Sequence, residues 1–281
     1  WTFPGSLTTP PWSSSIMAAY NFVVHRPSGK IYVGKSLTAT IIRLDPAGNY
    51  DNIMSNNVAS WSEIWDMAYH CSTDKIYGLG GSIYSNECSG IMDQVTGTIV
   101  PVVFFGPTTT QGHDVASHTI DNSGDIYFLF ASVQTTYLNN NLTKINSAFT
   151  NSVWIAPTNF STFTEAGNKS FYVGGPVTSN GFNALASNNN FLFYWDGFNL
   201  AAYNKTNGNM ITATTVAGLN VKEQGGIVAD DCNNVYIGGN GNILSYKYTG
   251  SSFVALPSIN VNATTPNKYV YDIKLDKLNQ L

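Results

Sequence analysis

Short apolar segments whose residues alternate with polar ones recur along the chain. The segment KIYVG at 30–34 returns in similar form as KIYGLGG at 75–81, DIYFLF at 125–130, FLFYWDG at 191–197 and VYIGG at 235–239. About ten residues before each lies a second alternating stretch, and a turn rich in Ser, Asn, Asp and Gly separates the two. Period-two alternation joined by such turns predicts a β-hairpin in every repeat.

Each predicted hairpin is followed by a third apolar segment and a fourth β-rich piece. The third segments are TIIRLD at 40–45, GIMDQV at 90–95, NLTKIN at 141–146, NLAAYN at 199–204 and ILSYKY at 243–248. Matching positions of the second strands fall at Ile31, Ile76, Ile126, Leu192 and Val235, which gives intervals of 45, 50, 66 and 43 residues. Units of four strands with a period of about 40 to 50 residues are typical of β-propeller blades.

The repeat predicts an all-β protein, a β-propeller of four-stranded blades that forms a single domain over 1–281. First strands are predicted near 20–25, 66–71, 114–120, 183–187, 225–231 and 270–276. The long interval predicts an irregular insertion at about 147–180. The C-terminal YDIKLDKLNQL resembles a first strand and the N-terminal WTFPG the tail of a fourth. Six blades are expected if both termini close the ring, and seven if the chain is an incomplete fragment.

Composition narrows the function classes. Charged residues make up 11% of the chain, hydrophobic residues 43%, and there are 32 Asn. A disordered chain needs the opposite balance, and helical repeats need abundant Glu and Lys. With 13 basic residues and a formal charge of −4, the chain lacks the basic surface that nucleic acid requires. No apolar run reaches the roughly 18 residues of a membrane span, so direct membrane insertion is not expected.

The N-terminus and the cysteines carry two further expectations. The chain begins at Trp1 with neither Met nor a signal-peptide pattern, which indicates a processed form or an internal piece of a longer protein. The spacing of Cys71, Cys88 and Cys232 fits no zinc pattern. They are interpreted as small buried or loop thiols, with a pair between Cys71 and Cys88 as the alternative.

A polar side chain lies at the start of nearly every predicted first strand. These residues are Asn21, Asp66, Asp114, Asn183 and Asp272, with Gly225 or Gly226 in the remaining slot. First strands line the central channel of a propeller, so the five side chains are predicted to form a binding ring at one channel mouth. Oxygen ligands suit Ca²⁺, which is the one cofactor considered. The alternative interpretation is structural, because Asp and Asn also accept backbone N–H groups where a loop enters a strand.

No residues are predicted to be catalytic. The chain has no nucleophile elbow, P-loop or dinucleotide-binding motif. Its carboxylates could be paired for glycoside cleavage, but nothing in the sequence sets their separation. His25 and His70 repeat as the fold repeats, which indicates a structural role. Trp61 and Trp154 lie in connecting segments and are predicted to be exposed aromatics that could stack on sugar rings.

Three strings carry a resemblance to a known family: NGFNALASNNNFLFYWDGFNLAAYNKTNG at 180–208, GGIVADDCNNVYIGGNGNILSYKYTG at 225–250 and YVYDIKLDKLNQL at 269–281. They resemble β-propeller segments of large secreted surface proteins of Bacteroidetes, many of which carry a gliding-motility-associated C-terminal domain that directs export by the type IX secretion system. The first half shares only the repeat. The resemblance implies an extracellular or cell-surface location and supplies no catalytic residues.

These observations together predict a non-catalytic extracellular β-propeller module of a large cell-surface or secreted protein, exported by the type IX secretion system. Its role would be adhesion, ligand binding or display. The expected partner is a protein or glycan ligand at the cell surface, or a component of the secretion translocon. The alternative is a secreted carbohydrate-active enzyme, such as a glycan hydrolase or lyase, or a lectin, with its site at the channel mouth.

Overall fold

The protein was examined as a computed structural model. It forms two compact units, Trp1–Phe104 and Phe105–Leu281. The structure describes residues 19–35, 40–55, 63–71, 73–82, 85–94, 99–101, 113–132, 141–146, 152–158, 184–195, 199–216, 226–239, 241–261, 270 and 273–275. Across these residues the regular structure is all β, and no helix is long and apolar enough to cross a membrane.

The first unit contains two four-stranded antiparallel sheets, each with its strands in chain order. The strands of the first sheet are β1 (Ala19–Val24), β2 (Ile31–Lys35), β3 (Thr40–Leu44) and β4 (Tyr50–Ser55). Those of the second are β5 (Glu63–His70), β6 (Lys75–Ser82), β7 (Ser85–Met92) and β8 (Ile99–Pro101). Both sheets contribute to one apolar core, in which Tyr32 and Ile41 pack with Met67 and Ile76.

The second unit contains three sheets of the same kind. The first has β9 (His113–Ile120), β10 (Ile126–Ser132), β11 (Asn141–Ile145) and β12 (Ser152–Pro157). The next has β13 (Leu185–Ser187), β14 (Phe191–Trp195), β15 (Asn199–Asn204) and β16 (Met210–Thr215). The last has β17 (Ile227–Ala229), β18 (Asn234–Gly238), β19 (Asn242–Tyr248) and β20 (Phe253–Asn260).

Burial explains why the inner strands are so apolar. The middle strands β14 and β15 are buried along almost their whole length, and packing on both faces replaces the usual alternation with continuous apolar runs. Two clusters form the core of this unit. One gathers around Tyr127 and Tyr203, and the other around Phe193, Trp195 and Tyr248.

The four-strand repeat predicted from the sequence is confirmed in five sheets. One boundary is corrected. The insertion predicted at about 147–180 begins with a regular element, because 152–157 forms β12, the outer strand of its sheet. The last predicted first strand, 270–276, is described only at 270 and 273–275, where no strand is assigned. The number of blades stays a prediction.

Candidate functional site

The residues predicted to ring a channel mouth are only partly within the described structure. The backbones of Asn21, Asp66 and Asp114 lie near the N-terminal ends of β1, β5 and β9, and their side chains are not among those described. Asn183 and Asp272 lie outside the described residues. A ligand-binding ring therefore stays a prediction.

Strand register shows which first-strand residues correspond to one another. Asn21 is opposite Gly34, and Asp66 is opposite Leu79. In both pairs the second-strand residue lies three positions after the repeated Ile. The first-strand residue directly follows an irregularity in the pairing. Asn21 and Asp66 therefore occupy equivalent positions in the two sheets of the first unit.

In β9 the equivalent position is Ser117 and not Asp114. Ser117 is opposite Leu129, and a shift in register just beyond this pair moves Asp114 to the place opposite Ala131. Asp114 lies 12 residues before Ile126, whereas Asn21 and Asp66 lie 10 residues before Ile31 and Ile76, and the same irregularity is present in all three first strands. Ser117 is fully buried, and its Oγ accepts a hydrogen bond of 2.9 Å from the backbone N–H of Ala184. In β9 the residue at the equivalent position therefore connects its own sheet to the next one.

Trp154 is half-buried, so the prediction of an exposed ring is corrected. The residue lies in β12, and its indole Nε1–H donates a hydrogen bond of 3.0 Å to the backbone carbonyl of Lys205. The ring packs against the buried cluster of the second unit, with its centroid 6.1 Å from that of Tyr127. This ring is used for packing between sheets. The other predicted aromatic, Trp61, lies outside the described residues.

Among the described side chains, no group of three His, Cys, Asp or Glu could hold a metal ion. Ca²⁺ at the channel mouth stays a prediction because the side chains of that ring are not described. Cys71 and Cys232 are free and exposed in turns, as predicted for loop thiols.

A polar residue at the end of each first strand binds to the following turn. The five residues are His25, His70, Asp121, Asn188 and Asp230. The oxygen atoms of the Asp and Asn side chains accept backbone N–H groups, as expected for residues that favour turns. The two His side chains instead contact a hydroxyl group three residues later, and Nδ1 to oxygen is 2.6 Å in both.

In the second unit these turns are bonded to the neighbouring sheet. The Lys205 ammonium contacts the Asp121 carboxylate at 2.6 Å and donates to the Asn188 carbonyl at 2.8 Å. The Asn188 amide donates to the Asp230 carbonyl at 2.9 Å and to the Asn233 side chain at 2.8 Å. Since the donors and acceptors belong to successive sheets, the turns hold the sheets of this unit in register with each other.

In the first unit the turns form a chain of side-chain hydrogen bonds. His25 Nδ1 lies 2.6 Å from Ser28 Oγ, and His25 Nε2 lies 2.8 Å from Asp74 Oδ1. The Tyr69 hydroxyl also donates to Asp74 Oδ1 at 2.8 Å. Hydrogen bonds from His25 and Tyr69 hold the pKa of Asp74 below its ordinary value. Ser28 and Asp74 were not among the predicted site residues. The shared spacing of HRPS and HCST, with a hydroxyl three residues after each His, signals Ser28 but not Asp74.

The outer strands of the second unit lack charged residues and expose apolar ones. None of β12, β16 and β20 contains an Asp, Glu, Lys or Arg residue. Each exposes large apolar side chains: Val153 and Ile155 in β12, Met210 and Ile211 in β16, and Val254, Leu256 and Ile259 in β20. Edge strands usually carry charged residues that prevent pairing with other chains, and these three outer strands lack them.

Comparison with known proteins identifies the fold. No protein-family model matches the chain, and no curated protein matches it. It is similar to a gluconolactonase structure from Xanthomonas campestris, with a TM-score of 0.58 and 9% identity over 94% of this chain and 82% of that one. A luciferin-regenerating enzyme gives 0.55 and 10% identity over 92% and 79%. A chain of a nidogen/laminin complex gives 0.56 and 10% identity over 90% and 83%.

The chain has the β-propeller fold of these structures, as the repeat predicted. The predicted function is wrong where it assigns a non-catalytic extracellular role, because two of the similar structures are enzymes and the likeness supports the fold alone. The fold occurs both in enzymes and in a protein complex, which supports protein binding in general terms.

Proposed function

We propose that this β-propeller binds a protein partner through the outer edge of β20, by adding an extended segment of the partner to the sheet as a further strand. The observation that carries the proposal is an eight-residue outer strand with no charged residue, exposed along nearly its whole length. No strand within the described residues is hydrogen-bonded to its outer side. Backbone groups at such an edge are suited to pairing with an extended peptide.

The two faces of β20 differ: one contacts an aromatic residue of its own sheet, and the other is exposed. Phe253 packs against the buried Tyr248 with centroids 5.1 Å apart. Alternation along the strand places Val254 and Leu256 on the opposite face from Phe253, where they are 51% and 38% exposed. Lys247 of β19 is opposite Val254 on this face, but β20 itself, which the partner segment would adjoin, carries no charge, and this favours an uncharged sequence rich in β-branched residues.

Pro257 limits the length of this pairing. The register with β19 shifts between Ser245 and Ile243, which puts Pro257 at an irregularity opposite Leu244. Proline lacks the N–H that a ladder needs and is found at edges and bulges. We expect the partner to pair with the stretch before Pro257.

The probe is a displayed library of random peptides, from which the peptides that bind the protein are selected. We expect the selected peptides to be apolar, uncharged and free of proline, and a synthetic consensus peptide should slow hydrogen exchange at 253–256. Leu256→Lys should weaken binding about tenfold or more, a loss of about 1.4 kcal/mol. Ile211→Lys is the matched control, because Ile211 is 40% exposed on another outer strand and should leave affinity unchanged.

Three results would reject this proposal. Selection of charged peptides would contradict the uncharged surface, and equal loss in both Lys variants would indicate a site elsewhere. Light scattering that shows a dimer disrupted by Leu256→Lys, with no peptide selected, would mean that β20 contacts a second copy of this chain.

A second candidate function is hydrolysis of lactones, favoured by the fold shared with a gluconolactonase over 94% of this chain. Asn21 and Asp66, which occupy equivalent first-strand positions, are the residues to substitute. Turnover of gluconolactone can be measured by the release of acid, with and without Ca²⁺. We expect this turnover to fall with Asp66→Asn. Absence of turnover in both conditions would exclude this candidate.

A further inference from the structure

The turn after β1 holds a hydroxyl, an imidazole and a carboxylate in one hydrogen-bonded row. Ser28 Oγ is 2.6 Å from His25 Nδ1, and His25 Nε2 is 2.8 Å from Asp74 Oδ1. A nucleophile within hydrogen-bond reach of a base, with the base oriented by a third group, is the arrangement that nucleophilic catalysis requires. All three residues belong to the first unit.

The hydrogen bonds of this row determine which ring nitrogen of neutral His25 carries the proton. A carboxylate accepts hydrogen bonds, so contact with Asp74 places the ring proton of neutral His25 on Nε2. Nδ1 then carries a lone pair and accepts the O–H of Ser28. Relative to the usual triad the two ring nitrogens are exchanged, but the roles of base and orienting group are preserved.

Neighbouring groups hold this geometry in place while Ser28 stays accessible. His25 is buried, and its ring meets Tyr69 edge to face with centroids 5.1 Å apart. Asp74 has a φ of 53°, a left-handed conformation that is uncommon outside Gly and that Asp tolerates better than most residues. Ser28 is exposed, and so is Arg26 in the same turn, whose positive charge acts on Tyr69.

A second turn in the same unit provides an internal comparison. His70 Nδ1 lies 2.6 Å from Thr73 Oγ1, so the contact between a hydroxyl and Nδ1 is shared by both turns and by itself only closes a turn. In the His25 turn the hydroxyl is an exposed primary one, on Ser28, and the opposite ring nitrogen contacts the Asp74 carboxylate.

We propose that Ser28 is the nucleophile of a site for acyl transfer from small carboxylic esters, with His25 as general base and Asp74 as a positioning residue. Ser28 Oγ attacks the carbonyl carbon while its proton passes to His25 Nδ1. The bond to the alcohol oxygen breaks, and the alcohol leaves with that proton. Water, deprotonated by the same nitrogen, then releases the carboxylic acid and restores Ser28.

Ser28 lies on an exposed turn, so an unhindered ester can reach its Oγ directly. Arg26 is exposed two residues before Ser28, and a cation near the reacting carbonyl would stabilise the oxyanion of the intermediate. This activity is independent of the partner site on β20, which lies in the other unit.

Covalent labelling of the full chain tests the site directly. We expect a fluorophosphonate probe to modify Ser28, identified by peptide mass spectrometry, and para-nitrophenyl acetate to give a burst of nitrophenol. Ser28→Ala should abolish both. Loss of base catalysis in His25→Gln should lower the acylation rate by about 100-fold or more.

Asp74→Asn tests positioning and Thr73→Ala is the matched control. Removing the carboxylate should slow acylation by the bound probe about tenfold or more while leaving the affinity for the probe unchanged, because Asp74 orients His25 and is not the group that attacks the ester. Thr73→Ala removes the same kind of turn contact and should leave labelling unchanged. Circular dichroism and thermal unfolding of every variant identify those that fail to fold, and Ser28→Thr provides a folded variant with a hydroxyl retained.

A purely structural role for the row gives a different result. Ser28→Ala and Thr73→Ala would then lower the unfolding temperature alike, with no probe adduct on Ser28 in the wild-type protein. That outcome, or labelling that survives Ser28→Ala, overturns the proposal.

Discussion

Asp121 and Lys205 form a buried ion pair that connects two sheets of the second unit. The exposed fraction of the side chain is 3% for Asp121 and 13% for Lys205. Burial would raise the pKa of Asp121, but the Lys205 ammonium and the Tyr127 hydroxyl outweigh this effect and the pKa lies below its ordinary value. The pair therefore contributes to stability only while the carboxylate is ionised.

Lys205→Met should destabilise the protein by about 3 kcal/mol at neutral pH, because it leaves a buried carboxylate without its cation. The lowered pKa of Asp121 means that its contribution in the wild type is complete above about pH 4, the unfolded value, and is lost as pH falls through the folded pKa. The variant should lose less stability over this acid range. Urea unfolding at several pH values measures both effects.

Lys30→Met is the control for this prediction. Lys30 and Asp51 lie 3.1 Å apart with side chains 36% and 30% exposed, and such pairs contribute about 0 to 1 kcal/mol. Equal destabilisation in the two variants would contradict the buried pair's importance.

Gly208 is a second residue whose role comes from its surroundings. Its φ is 77°, and a Cβ there would lie 2.6 Å from the Trp154 ring and 2.9 Å from the Ala156 side chain. Absence of a side chain permits both the left-handed backbone and the close approach of the indole.

Gly208→Ala should therefore cost more than Gly250→Ala. Gly250 has a φ of 98° with no atom within 4 Å of its Cβ position, so its variant carries only the backbone strain of about 1 to 2 kcal/mol. Gly208→Ala adds overpacking of about 1 to 3 kcal/mol. Chemical denaturation compares the two, and equal losses would show that the Trp154 contact relaxes without cost.

At the scale of elements, the turns after the first strands determine how sheets join. Asn188 is buried, and its Oδ1 accepts the backbone N–H groups of Asn190 and Phe191 within its own turn. Its amide donates across to the next sheet, to Asp230 and Asn233. One amide side chain thus closes a turn and connects two sheets, which a carboxylate cannot do because it has no donor.

Asn188→Asp should lower the free energy of unfolding by about 2 to 4 kcal/mol, since it places a carboxylate against two acceptors. The defect should shrink below about pH 4, where the new carboxyl group becomes protonated and can donate. Thermal unfolding at neutral and acid pH measures the change. Asn189→Asp, on an exposed neighbour, should change stability by less than about 0.5 kcal/mol, and a similar effect in both would contradict the connecting role of Asn188.

The elements also show where sequence patterns succeed. Alternation and turn residues predicted the hairpins because both signals act over a few residues. The third segment NLAAYN at 199–204 is β15 without a change of boundary. Asp114 was assigned to the wrong position because it precedes Ile126 by 12 residues, whereas Asn21 and Asp66 precede Ile31 and Ile76 by 10, and the hairpin between β9 and β10 is one residue shorter.

At the scale of the whole molecule, the low charge and the abundance of Asn have a structural explanation. Sheets buried on both faces need continuous apolar strands, and turns that accept backbone N–H groups can use Asn as well as Asp. The uncharged outer strands reduce the charge further. Composition therefore describes this fold and does not identify a partner.

The sequence by itself determined the β class, the four-strand repeat and the polar turns, because period-two alternation and turn chemistry are local properties of the chain. Tertiary structure alone decided which distant side chains meet. His25 contacts Asp74 across 49 residues, Lys205 reaches the turn at Asp121, and Trp154 turns inward to Gly208. These contacts depend on how whole sheets pack and register against one another, which local patterns along the chain do not encode.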